Sequence, residues 1–125
     1  MYDNDTYMVD SKPFPRPVDL GRDSLRTDEA ERVIRQRAAD TKNVEFRLHA
    51  FDRMEEREEQ EALNTEDALD ILRTGFVLAT PEKARNGWKC KVIKNILGNR
   101  DAGVVTIILT DSGALRILTV EWEDW

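Results

Sequence analysis

His49, Arg53 and Arg57 recur at intervals of four in the segment RLHAFDRMEER. On a helix that spacing stacks the three side chains along one face, about 6 Å apart at each step. An imidazole titrates near neutrality, and beside two fixed cations it suits acid–base work on a phosphodiester. The guanidiniums would hold phosphate oxygens and stabilise charge that develops in the transition state. Asp52, Glu55, Glu56, Glu58, Glu59 and Glu61 surround the two arginines, so a surface of ordinary ion pairs is the competing reading.

A second constellation is the basic run Lys83, Arg85, Lys89, Lys91, Lys94 and Arg100, with Trp88 interleaved. Cations around an exposed aromatic make a workable groove for single-stranded RNA, by phosphate pairing and base stacking. The same run also fits a solvated strand face with Trp88 in the core, or a docking face for an acidic partner. Cys90 is the only cysteine and His49 the only histidine, so one chain has no internal disulfide and no zinc site of the usual Cys/His kind. No phosphate-binding glycine loop, nucleophile triad or cofactor fingerprint is present, and neither metal nor cofactor is expected.

The elements that must position these residues can be read from periodicity. Residues 1–22 hold Pro13, Pro15, Pro17 and Gly21 with little apolar pattern, which suggests a flexible tail ahead of a single domain at 23–125. An amphipathic helix is expected from about Asp28 to Ala39, with Asp28 and Glu31 at the spacing of a capping box and Ala30, Val33, Ile34 and Ala38 as its apolar stripe. Val44–Leu48 reads as a short strand or the entry to a helix running from His49 to Glu61. A further helix is expected after a Thr65 N-cap, ending at Gly75. Trp88–Leu97, Val104–Leu109 and Leu115–Trp122 read as a meander of strands, with Phe76–Ala79 as a possible fourth at an edge; alternation in the first puts Trp88, Cys90 and Val92 on one side and Lys89 and Lys91 on the other. The fold expected is α+β, with two to three helices packed on a three- to four-stranded antiparallel sheet.

Charge and composition narrow the partners. The chain carries a net charge of −6, yet residues 77–102 hold six basic and two acidic side chains, a net of +4. Bulk binding of duplex DNA is not expected from an acidic body with one local basic strip. No apolar run approaches the roughly 18 residues of a membrane span. Residues 1–10 contain three aspartates and no basic residue, unlike a secretory signal, so a cytoplasmic location is expected.

Phe46 through Trp122, about three fifths of the chain, resembles a bacterial family catalogued as domain of unknown function 4258. The resemblance rests on the H-A-x-x-R-M-x-x-R skeleton of Arg47 to Arg57, and on the capped helix NTEDALDILRTG that follows. The basic and apolar strands, and Leu118-Thr119-Val120 before Trp122, complete it. Members of that family look similar to small toxins of the RelE and MqsR kind. The resemblance therefore implies a RelE-like outline and a metal-independent endoribonuclease toxin, held inactive by a cognate antitoxin. In such an enzyme the ribose 2′-hydroxyl attacks the adjacent phosphate of free or ribosome-bound RNA. Carried over, His49 is the general base and Arg53 and Arg57 clamp phosphate, while Lys89 and Lys91, which match only the general basic character of the strand, contact RNA; Trp88, interleaved between cations, joins them as an RNA contact on the reading of the run itself. The departure is tyrosine: RelE-like enzymes often use one near the active site, and here only Tyr2 and Tyr7 exist. The alternative is a non-catalytic interaction module that docks a partner through the basic strand and the N-terminal tail.

Overall fold

Strict alternation in GWKCKVIKNI produces a strand with one apolar and one polar face, and two further β-branched runs pair beside it. The computed structural model describes residues 17–52, 63–96, 98 and 100–123. In chain order these form α1 (Thr27–Ala38), a 3₁₀ turn (Thr41–Asn43), β1 (Val44–Phe46) and α2 (Thr65–Thr74). Five strands complete the order: β2 (Phe76–Val77), β3 (Glu82–Ala84), β4 (Gly87–Ile96), β5 (Arg100–Leu109) and β6 (Leu115–Trp122). The fold is α+β, as expected, but the sheet is larger than expected and not purely antiparallel. It has six strands in the order β1-β6-β5-β4-β2, with β3 also paired to β4, and β1 runs parallel to β6. Three residues of VEF give no signal for direction. What fixes it is that Val44, Glu45 and Phe46 lie in register with Leu115, Arg116 and Ile117.

The core lies between the two helices and one face of the sheet. Ala30, Val33, Ile34 and Ala38 of α1 meet Ala68, Ile71 and Leu72 of α2 over Cys90, Val92, Val104, Ile117 and Val120. The opposite face, carrying Lys89, Lys91, Val105, Ile107, Thr119 and Glu121, has neither of these helices on it. At their C-terminal ends the helices cap each other. Arg35 donates to the Gly75 carbonyl at 2.7 Å, and Arg73 donates to the Ala38 carbonyl at 2.7 Å. Each cation thus meets the negative end of the other helix's dipole.

Helix starts fall one residue or more from the expected caps. Glu29, not Glu31, closes the N-terminus of α1 by accepting from the Arg26 N–H at 3.1 Å. Glu31 instead accepts from the N–H of Val77 and so ties β2 to α1. Asn64 rather than Thr65 caps α2, exchanging hydrogen bonds with Asp67. The tail boundary also moves. Val18 and Leu20 pack against the core, the Leu20 carbonyl accepts from Trp88 Nε1 at 2.8 Å, and the Arg22 carbonyl accepts from Lys83 Nζ. Two apolar residues spaced i, i+2 were enough to anchor this stretch despite its proline and glycine. Residues 1–16 of the expected tail lie outside the described residues.

Glu29 is 7% exposed, and its carboxylate accepts from Arg22 and from the Arg26 backbone. The Arg22 hydrogen bond first, and the Arg26 N–H second, hold its carboxyl below the usual glutamate range. A carboxylate whose folded pKa is depressed adds stability above its unfolded pKa and loses it as pH falls through the folded value. Thermal unfolding followed downward from pH 7 is therefore expected to lose this contribution from about pH 4.3 and below. Glu29→Gln should be less stable at pH 7 and should flatten that acid limb. An acid limb as steep as in the wild type would contradict the assignment.

Candidate functional site

His49 follows β1 in a turn that grips an irregularity in β6. Val105 pairs with Thr119 and Thr106 with Ile117, so Leu118 is an extra residue in the ladder. The turn bridges it: the Arg47 N–H donates to the Ile117 carbonyl at 3.0 Å, and the Ala50 carbonyl accepts from the Val120 N–H at 2.8 Å. Ala50 is buried, whereas Arg47, Leu48 and His49 face solvent. In the H-A pair of the motif, the alanine is thus the structural anchor and the histidine the projecting group. The imidazole is 74% exposed, with Nδ1 3.0 Å from the Asp52 carboxylate. The helix expected from His49 onward does not begin there, because residues 48–51 are a turn. Arg53 and Arg57 lie outside the described residues.

The basic strand is not a track of free cations. Lys91 Nζ lies 3.0 Å from Glu123 Oε1 and 3.4 Å from Glu121 Oε2. Burial draws the Lys91 pKa down, but the hydrogen bond and charge of Glu123, and then those of Glu121, outweigh it and leave the pKa raised. Gly103 leaves room beside the clamp, since a Cβ there would meet the Glu123 carboxylate at 2.5 Å and the glutamate side chain would have to shift. Lys94 is bound to Asp70 at 2.6 Å, and Arg100 lies over the Trp122 ring at 4.0 Å. Lys83 donates to the Arg22 carbonyl and stands 5.0 Å from the Trp88 ring centre. Lys89 and Arg85 are exposed and have no ion-pair partner among the described residues.

Trp88 corrects an expectation. It is 2% exposed and belongs to the core, so its ring offers no face to a stacking base. The pleat is the reason, because Trp88 shares its side of β4 with Cys90 and Val92, against the helices. Cys90 is likewise buried, and burial pushes its thiol up to about 12, which leaves it an inert apolar group.

On the open face a depression of about 440 Å³ sits where the edge strand breaks between β2 and β3. Ala79, Thr80, Val105, Leu118 and Thr119 line it, with Glu82, Lys89, Lys91 and Glu121 around them. His49 is not among its lining residues. The sheet order places His49 beyond β6, three strand spacings or roughly 14 Å from β4. The structure therefore does not bring His49 together with Lys89 and Lys91.

Glu121, Glu123 and Gly103 were not singled out by sequence reasoning. Their signal was present in the alternation of EWE, which puts both glutamates on the face of Thr119, but only the register connects that face to Lys91. Among the described residues no group of three or more His, Cys, Asp or Glu side chains is placed to hold a metal ion. Nor is any described helix long and apolar enough to cross a membrane. No protein-family model, curated protein or solved structure matches this chain.

Proposed function

We propose that this chain is a non-catalytic interaction module that holds a partner protein on the sheet face opposite α1 and α2. The state of the basic strand carries this reading. Lys91 is neutralised by two glutamates of its own chain and Trp88 lies in the core, so base stacking loses its ring and phosphate pairing loses the cation at the centre of the strand. On the segment that follows α2, Leu78 stands in solvent at 71% exposed, and Phe76 is 55% exposed with the Arg35 guanidinium 5.4 Å from its ring centre. Exposed apolar groups next to a concave face favour a protein surface over a nucleic acid.

A second reading is supported by His49 alone. Its outward imidazole, steadied by Asp52, has the orientation of a base with one nitrogen held and the other free. On that reading the resemblance to RelE-like toxins points to a metal-independent endoribonuclease, with Arg53 and Arg57 as phosphate clamps and an antitoxin as partner.

One pair of experiments separates them. Full-length protein offered single-stranded RNA, with and without ribosomes, is expected to leave it intact, and His49→Ala to behave identically. Cleavage by the wild type that falls about a hundred- to ten-thousandfold in His49→Ala would establish the ribonuclease instead. In cells, a photo-crosslinking residue in place of Leu78 should trap one discrete polypeptide. The same residue in place of Arg32, on the exposed side of α1, should trap none.

A further inference from the structure

We propose that residues 18–22 form a releasable strap over Trp88, latched by the Glu29 carboxylate, which lifts while the sheet beneath it stays folded. The strap has no helix or strand of its own. Among the described residues, three side chains of the domain hold it. Glu29 accepts from Arg22 at 2.5 Å, Lys83 Nζ donates to the Arg22 carbonyl at 3.0 Å, and Trp88 Nε1 donates to the Leu20 carbonyl at 2.8 Å. Two further hydrogen bonds are internal to it, from the Gly21 N–H and from Arg22 Nε to Asp19. Val18 and Leu20 are half-buried and Gly21 to Ser24 are exposed, whereas Leu25 is 2% exposed. Leu25 is therefore where the chain becomes fixed in the core, and the exposed residues before it supply a hinge.

Ordering these residues costs backbone entropy, and two half-buried aliphatic side chains offset only part of it. The balance rests on the three ties. Arg22–Glu29 is the strongest kind among them, because both partners are charged and the carboxylate is 7% exposed. Arg26 also faces Glu29, with Nη2 at 3.8 Å, but its guanidinium is engaged by Asp28 at 3.0 Å. From β3, Lys83 reaches the strap's backbone, and β4 presents the neutral indole. Lifting strands no buried charge: it opens Glu29 to water, and the other carboxylate oxygen keeps the Arg26 N–H that closes the start of α1. The ladders of β4, β5 and β6 do not include the strap, so they need not break when it leaves. Opening removes the acceptor from Trp88 Nε1, admits water to that edge of the ring and frees Lys83 of β3. The latch carboxylate is held below its usual range, first by Arg22. It is therefore complete above about pH 4.3 and is lost as pH falls through the lower folded value.

The test is hydrogen exchange in the full chain, isotopically labelled. It compares protection of the Trp88 indole N–H, identified by its absence in Trp88→Phe, with that of the Val104 amide in β5. In the wild type the indole should be the less protected of the two. Arg22→Gln, at an exposed position, should cut indole protection about tenfold and leave Val104 unchanged. Glu29→Gln should also lower indole protection at pH 7. Below about pH 4.3 the wild type should lose indole protection relative to Val104, and Glu29→Gln should not. If Glu29→Gln also loosens the start of α1, Arg22→Gln decides, because it leaves the Arg26 N–H bonded to Glu29. Indole protection equal to that of Val104 in the wild type, or equal losses at both sites in Arg22→Gln, would make the segment part of the global fold and overturn the proposal. Indole protection unchanged in both variants would show that Glu29 is no latch and overturn it as well.

Discussion

Trp88→Ala is expected to lower the stability of the fold by about 3–5 kcal/mol, the usual range for deleting a large buried aromatic. The ring is 2% exposed, shares its face of β4 with Cys90 and Val92, and pairs across to Ile108. Its Nε1 also anchors the incoming chain at the Leu20 carbonyl, so alanine would release that segment as well. Against a typical total of about 5–15 kcal/mol, this is a large fraction. Trp88→Phe separates the two parts: it keeps most of the ring's burial and loses the hydrogen bond, worth about 1 kcal/mol. Urea unfolding with an unchanged slope would read both values directly. A tryptophan serving as an RNA platform would behave in the opposite way, losing binding with the midpoint unmoved.

The contrast shows where sequence reasoning held. Alternation in WKCKVI correctly divided β4 into two faces, and the borders of β6 were legible from Leu115 to Trp122. The stripe of Ala30, Val33, Ile34 and Ala38 correctly gave the buried side of α1. Those signals are local, and burial of one face is all they encode. β3 and the parallel pairing of β1 were not legible, because three residues carry too little pattern for a strand or a direction.

The candidate site meets the same boundary between local and long-range information, and Arg53 and Arg57 lie outside the described residues. His49, Arg53 and Arg57 were grouped on the assumption that a helix begins at His49. The Ala50 carbonyl, committed to Val120 of β6, instead keeps residues 48–51 in a turn. Lys91 was grouped with free cations because its partners lie 30 and 32 residues away, on the far side of β5. A charge run on a strand cannot be judged as a binding surface until the register shows which carboxylates it faces. Here the register removes Lys91 and leaves Lys89.

Gly87→Ala is expected to cost about 3 kcal/mol, at the upper end for overpacking. A Cβ at this position would press into the Ile108 carbonyl oxygen and come within 2.9 Å of its carbonyl carbon and 3.0 Å of Ile107 Cγ2. The obstacle is backbone in a central strand, so no side-chain rotation relieves it. The hairpin must instead open where Gly87 pairs with Leu109 on one side and Ala84 on the other. Gly21→Ala is the control: its nearest neighbour is the Asp19 side chain at 3.4 Å, and its effect should stay within about 0.5 kcal/mol. Urea unfolding of both variants beside the wild type checks this, and a Gly87→Ala midpoint no lower than that of Gly21→Ala would show that the strand absorbs the methyl group without cost.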